Sequence, residues 1–379
     1  MLSMGVRETA AALRVLAKGD LGRYYARGTS ETTRFEGELR SFNGSRHALA
    51  VNSGTSALIC ALVGAGIGPG DEVLVPAYTW VSTAAAPLAV GAVPVLVEVD
   101  DSLTMDPVDA ARKVTAHTRA IIPVHMINLV CDMDPLMALA AQHDLVVVED
   151  ACQAIGLRYR GRRVGSIGHA GAFSFNQHKN IKSGEGGALV TNDDRVFARA
   201  SMYHDVGSYE RSAQLDVGES VFVGVNYRMP ELSAAILRPQ LARLDRQLRR
   251  RRERRQYVIG TVVDSMSDCT VSPHHDPDDA ASLAIRFDDP DAARMFGERK
   301  GARRLVDTGR HVYTNWQSIL SKRSFDPRFD PYEWAHRPID HTPDECPATL
   351  DILSRTCTVE LAPELPTPAF RLAVRQLAG

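Results

Sequence analysis

Asp144-Leu145-Val146-Val147-Val148-Glu149-Asp150 is an apolar run too short for a helix, closed by two carboxylates. Its consecutive apolar residues leave no polar face, so it reads as a strand buried on both sides, as the strands of parallel sheets are. The same pattern repeats upstream, where apolar strands over 72–75, 93–97 and 120–124 alternate with helices over 82–90, 107–114 and 135–143. That rhythm predicts an α/β fold with a mainly parallel central sheet flanked by helices. Sheets of this kind bind ligands past the carboxyl ends of their strands. The residues just past those ends are Trp80, His125 and Asp150.

Downstream, Gly171-Ala-Phe-Ser174-Phe-Asn-Gln-His-Lys179-Asn-Ile-Lys-Ser-Gly184-Glu-Gly-Gly187 adds a strand over 171–175 and a polar loop holding Lys179. Its glycines let the backbone turn into a further strand over 188–191. A lysine at the end of a buried strand is expected to be partly desolvated, which favours the neutral, nucleophilic amine of Schiff-base chemistry. Taken alone, Lys179 also reads as a solvated loop lysine.

Upstream, a strand over 47–51 runs into Asn52-Ser-Gly54-Thr55-Ser56-Ala-Leu58 and an apolar helix. Strand, small polar turn and helix start aim backbone N–H groups and hydroxyls at one spot, which suits a phosphate; an ordinary helix cap has the same composition. The glycines at 64, 66, 68 and 70 end that helix and lack dinucleotide-binding spacing.

Asp150 past its strand end is a general base, a metal ligand, the partner of a protonated ring nitrogen, or a cap for the next segment. Lys179 favours the ring nitrogen. Pyridoxal 5′-phosphate requires a lysine, an acid to hold its ring proton, a phosphate cup and a flat group against the ring. Lys179, Asp150, Gly54-Thr55-Ser56 and Trp80 supply these four, although Trp80 by itself also reads as a core aromatic.

The chain has 379 residues, 44% apolar and 24% charged, with a formal net charge of −2. Its length predicts a large domain over 1–240 including an N-terminal helical segment, a linking helix over 241–264 and a small C-terminal α+β domain over 265–379. The charge gives no case for nucleic acid or an anionic membrane. The apolar run 84–97 is broken by Pro87, Gly91 and Pro94, so it does not span a bilayer. The N-terminus lacks a signal-peptide core, and six scattered cysteines read as reduced thiols of a cytoplasmic protein. Leu237, Leu241, Leu244 and Leu248 predict one long helix continuing into the arginine-rich run 249–255, read as a solvated face at the domain junction. His274-His-Asp-Pro-Asp-Asp279 reads as a solvated loop without metal-ligand spacing, and no metal is expected.

Five motifs in order carry a resemblance: Asn52–Leu58; Val75-Pro-Ala-Tyr-Thr-Trp80; Glu149-Asp-Ala-Cys-Gln153; Phe173–Asn180 with Gly184-Glu-Gly-Gly187; and Gly224-Val-Asn-Tyr-Arg-Met-Pro-Glu-Leu232. They resemble the DegT/DnrJ/StrS-type sugar aminotransferases, which are fold-type I pyridoxal phosphate enzymes with the aspartate-aminotransferase-like fold. The resemblance spans about residues 20–240. It implies Lys179 as the Schiff-base lysine and proton shuttle, and Asp150 as partner of the pyridinium. It further implies Gln153 beside the ring, Ser174 with Gly54-Thr55-Ser56 on the phosphate, Trp80 stacked on the ring, and Asn226 reaching the partner subunit's phosphate in a homodimer. His125, Tyr227, Arg228 and Tyr313 are candidates for substrate contact. The implied reaction moves an amino group from glutamate or glutamine to a keto-sugar or keto-cyclitol. The alternatives are a keto-sugar dehydratase using the same cofactor and a catalytically silent regulator. The chain departs from the family at Val124-His-Met-Ile-Asn128, where glycine is usual; Asn128 can adopt the left-handed conformation that glycine supplies.

Overall fold

The structure, a computed structural model, describes residues 4–24, 30–208 and 218–378. Strands β1 (His47–Val51), β2 (Glu72–Pro76), β3 (Val93–Val97), β4 (Thr118–Ile121), β5 (Val146–Asp150), β8 (Ala170–Ser174) and β9 (Gly187–Thr191) build the central sheet, with β6 (Arg158–Tyr159) and β7 (Arg162–Arg163) a small hairpin beside it. The order is β1-β9-β8-β5-β4-β2-β3. Only β9 runs against its neighbours β1 and β8; the other pairings are parallel. The expected mainly parallel sheet is therefore present. β4 is shorter than its apolar run, ending at Ile121 before Pro123, which has no N–H to donate; Val124 makes one further bridge to Asp150.

Alternation along the strands divides the core in two. Leu74, Val147, Phe173 and Val190 face one side with Phe35 and Leu39 of α2 (Glu31–Asn43) and Leu136 of α6 (Met133–His143). Val75, Val148, Ala172 and Leu189 face the other, against Leu58 and Leu62 of α3 (Gly54–Ala65), Ala84 and Ala86 of α4 (Ser82–Ala89) and Val196 of α7 (Asp194–His204). By the same alternation Glu149 belongs with the first side and Asp150 with the second. The remaining early helices are α1 (Val6–Lys18) and α5 (Pro107–Lys113).

A second, antiparallel sheet follows, of β10 (Cys269–Val271), β11 (Ala284–Phe287), β12 (Ala302–Arg304) and β13 (Thr356–Val359), ordered β10-β11-β13-β12. It has its own core, including Ile285, Phe287, Phe296, Cys357 and Phe370.

The leucine repeat departs from expectation. It lies on two helices, Glu231–Leu241 and Leu244–Thr261, separated by a turn at Ala242 and Arg243. Pro239 removes one N–H from the last turn and crowds the carbonyl four residues back. Arg243 then folds over, donating to the Pro239 carbonyl at 3.2 Å and pairing with the buried Glu8 of α1. All four leucines are nonetheless buried. The arginine run is not simply solvated either. Arg254 donates to the Leu361 and Leu365 carbonyls and Arg255 to that of Ser282, and both are buried. Asp279, read as a solvated loop residue, is buried and pairs with Arg252. All six cysteines are free. Among the described residues no helix is long and apolar enough to cross a membrane, and no group of three or more metal-ligating side chains converges.

Candidate active site

Adjacent carboxylates at the end of β5 point to opposite faces and do different work. Glu149 is fully buried and accepts from the Gly165 N–H at 2.7 Å, the Ile167 N–H at 2.6 Å, the Gly168 N–H at 2.7 Å and the His125 ring at 3.0 Å. Asp150, 5% exposed, accepts from the Thr83 hydroxyl at 2.7 Å and the Cys152 N–H at 3.1 Å. Thr83 lies 2.8 Å from the Thr79 hydroxyl, so a short polar chain from the start of α4 holds this carboxylate.

The N-terminus of α3 is seated against Asp150's neighbours. A Cβ on Gly54 would lie 2.8 Å from Ser174 Cβ and 2.9 Å from Cys152 Sγ, so only glycine lets the helix approach the ends of β8 and β5 this closely. Ser53 caps the helix, accepting from the Ser56 N–H at 3.0 Å; Ser56 in turn donates to Asn52 at 2.7 Å. Thr55 donates to Ser82 at 2.9 Å, tying α3 to α4. The turn is thus both a helix cap and a cluster of hydroxyls, Thr55 and Ser174 among them.

Lys179 is half-buried and lines a cavity of about 540 Å³ with Gln153, Asn128, Asn180, His311 and Arg303, among others. Burial pushes the Cys152 thiol well up, with the charge of Asp150 adding to it and that of Lys179 opposing it. Burial holds His311 below its ordinary value, and the Lys179 charge acts in the same direction. The Trp80 ring, partly exposed, has His311 at 5.1 Å between centroids and the Arg310 guanidinium at 4.9 Å.

The model of the DegT/DnrJ/EryC1/StrS aminotransferase family matches residues 6–323. The chain belongs to that family. It is 44% identical over 241 residues to the dTDP-3-amino-3,4,6-trideoxy-alpha-D-glucose transaminase of Streptomyces venezuelae, a match covering 63% of this chain and 61% of that protein. It is 42% identical over 230 residues to GDP-perosamine synthase of Caulobacter vibrioides, covering 60% and 59%. The chain thus spans less than two thirds of the length of these two curated relatives. Over almost the whole chain it is similar to the crystal structure of 3-amino-5-hydroxybenzoic acid synthase, with a TM-score of 0.82 at 28% identity, covering 99% of this chain and 96% of that one.

For a DegT/DnrJ/EryC1/StrS chain, the proposed substrate residues are unevenly placed. His125 and Tyr313 are fully buried and do not line the cavity. His125 spends both ring nitrogens, on Glu149 and on the Cys131 N–H at 3.1 Å. The Tyr313 hydroxyl donates to the Pro343 carbonyl at 2.5 Å and accepts from the Cys346 N–H at 3.1 Å. Their side chains are held by these buried partners, away from the residues that line the cavity. Asn226, Tyr227 and Arg228 lie beside the end of β1: Asn52 donates to the Tyr227 carbonyl at 2.8 Å, and Arg228 bridges Val51 and pairs with the buried Asp205. Asn226 is exposed and accepts from the Arg228 N–H at 3.3 Å. Gln153 accepts from the Ile127 N–H at 3.3 Å. Thr83, Asn180, His311 and Arg303 were not singled out in the sequence. Of these, only Thr83 carried a usable signal, lying one helical turn past the Thr79-Trp80 strand end.

Proposed function

We propose that this chain is a pyridoxal 5′-phosphate-dependent aminotransferase that takes nitrogen from glutamate or glutamine and gives it to a keto-sugar or keto-cyclitol. We further propose that it works in the cytoplasm as a homodimer with Asn226 facing the partner's site, and that residues 265–379 act as a distinct smaller domain. The observation that carries the reading is the convergence of three unlike groups. A buried carboxylate fixed by Thr83 accepts from the Cys152 N–H, a hydroxyl-lined helix N-terminus sits against Cys152, and the half-buried Lys179 lines a cavity with the next residue, Gln153.

The residues fit the cofactor. The close seat of Gly54 on Ser174 brings the N-terminal end of α3 beside the Ser174 hydroxyl, where a phosphate would be held, with the Thr55 hydroxyl turning to it from Ser82. Asp150, an acceptor already oriented by two donors, would hold the proton of a ring nitrogen and keep that ring cationic. When bound, pyridoxal phosphate supplies a carbonyl for a Schiff base and a ring that accepts the electron pair left when a substrate Cα–H bond breaks. Lys179 Nζ would hold that carbonyl, and its free amine would take up and return the Cα proton as general base and then acid. Trp80, with His311 and Arg310 against its ring, would cover one side of the bound group and limit water. The donor leaves as a keto acid and the acceptor ketone leaves as an amine, so nitrogen and electrons balance.

The test is an absorbance spectrum of the purified protein with pyridoxal phosphate, before and after glutamate or glutamine. A cofactor band that shifts on donor addition supports the reading. A protein that leaves the spectrum of free cofactor unchanged refutes it.

A further inference from the structure

The loop between β4 and α6 is held in an unusual shape. His125 closes it like a staple, its ring accepting from the Cys131 N–H while bonded to Glu149 on β5. Between these ends Ile127 and Asn128 both have positive φ, 45° and 62°. Asparagine tolerates that region, whereas a β-branched isoleucine adopts it only where its surroundings force it. Strain of this kind persists where the fold holds it and marks a region to test for function.

Two contacts say what the shape does. The Ile127 N–H points at Gln153 Oε1 at 3.3 Å, while Gln153 Nε2 faces Met126 Sδ at 3.3 Å. The Asn128 side-chain oxygen accepts from Asn180 Nδ2 at 2.6 Å. Asn180 directly follows Lys179 and also reaches the Ile155 carbonyl at 3.4 Å. Ile127, Asn128, Gln153, Lys179 and Asn180 all line the same cavity. The loop therefore grips the residue beside Lys179 with a side chain and Gln153 with its backbone. Two left-handed residues in succession aim both contacts into one space.

We propose that Asn128 is a positioning residue for Lys179, acting through Asn180, an inference that rests on the aminotransferase reading above. The link fixes where the polar loop carries the lysine amine relative to the Asp150 carboxylate. A misplacement on the order of 1 Å costs a reacting group a large part of its rate.

The experiment compares Asn128→Gly, Asn180→Ala and the double variant with wild type. Asn128→Gly keeps a residue suited to positive φ and removes only the amide; Asn180→Ala leaves the stapled loop untouched and serves if the first variant does not fold. The readouts are the pyridoxal phosphate dissociation constant, the pH midpoint of the visible absorbance of the bound cofactor, and kcat with KM. Each single variant is expected to lose about tenfold in kcat, with the dissociation constant and KM changing less than about threefold and the absorbance midpoint moving off the wild-type value. The double variant is expected to be no worse than Asn180→Ala, since Asn128→Gly removes only a link that Asn180→Ala has already broken. A wild-type midpoint and kcat in Asn180→Ala, or losses that multiply in the double variant, overturn the proposal. A wild-type protein that binds no cofactor instead overturns the aminotransferase reading itself.

Discussion

Glu149→Gln replaces one oxygen with nitrogen and keeps the shape, yet the structure predicts a heavy cost. One carboxylate oxygen takes the Ile167 and Gly168 N–H groups; the other takes the Gly165 N–H and the His125 ring. Because His125 Nδ1 accepts the Cys131 N–H, its Nε2 is the donor to Glu149 and cannot become an acceptor without losing that bond. Whichever way the glutamine amide turns, its NH₂ faces two donors. Each buried donor left without an acceptor costs about 1–3 kcal/mol, so the substitution costs about 2–6 kcal/mol, a large share of a typical native stability of about 5–15 kcal/mol. At roughly 1.3 °C per kcal/mol for a chain of this size, thermal denaturation falls by about 3–8 °C. Amide exchange should speed up across residues 165–168. A midpoint lowered by less than about 2 °C, with unchanged exchange there, would refute the tautomer and the satisfaction argument together.

Thr83→Val removes the hydroxyl holding Asp150 while keeping its volume; loss of a bond to a charged group, about 1.5–3 kcal/mol, predicts roughly ten- to a hundredfold weaker cofactor binding by equilibrium titration. Gly54→Ala drives a methyl to 2.8 Å from Ser174 Cβ, so unfolding should cost about 1–3 kcal/mol less and cofactor affinity should drop, both measurable on one preparation. Burial pushes His204 down to about 3, and in the unfolded chain it protonates near 6.5. Its contribution to stability is thus complete above the unfolded value and is lost as pH falls towards about 3, because the unfolded state binds the extra proton. Denaturant midpoints at about pH 7.5 and about pH 5 should fall in wild type and fall less in His204→Gln; equal falls would contradict this.

The sheet was legible because strands buried on both faces leave runs of apolar residues, and their alternation sends Val147 and Val148 to separate cores. The break at Ala242 and Arg243 was not legible from periodicity, since Leu241 and Leu244 keep their spacing across it and both stay buried. Pro239 was the available clue. Burial of Arg254 depends on carbonyls more than a hundred residues away, which no local pattern encodes. The place of Asp150 at the end of β5 was legible from the apolar run before it. The buried partners of His125 and Tyr313, at Glu149 and Pro343, are brought to them only by the folded chain. The loop departure at Asn128 was read correctly as left-handed, but its bond to Asn180 was beyond the sequence.

The central claim is that Lys179 is the residue that joins the cofactor. Borohydride reduction of the protein with pyridoxal phosphate, followed by peptide mass mapping, tests it most directly. The account predicts one pyridoxyl group per chain, on Lys179 and absent from Lys179→Ala. A label on another lysine, or none on a folded protein, would contradict it.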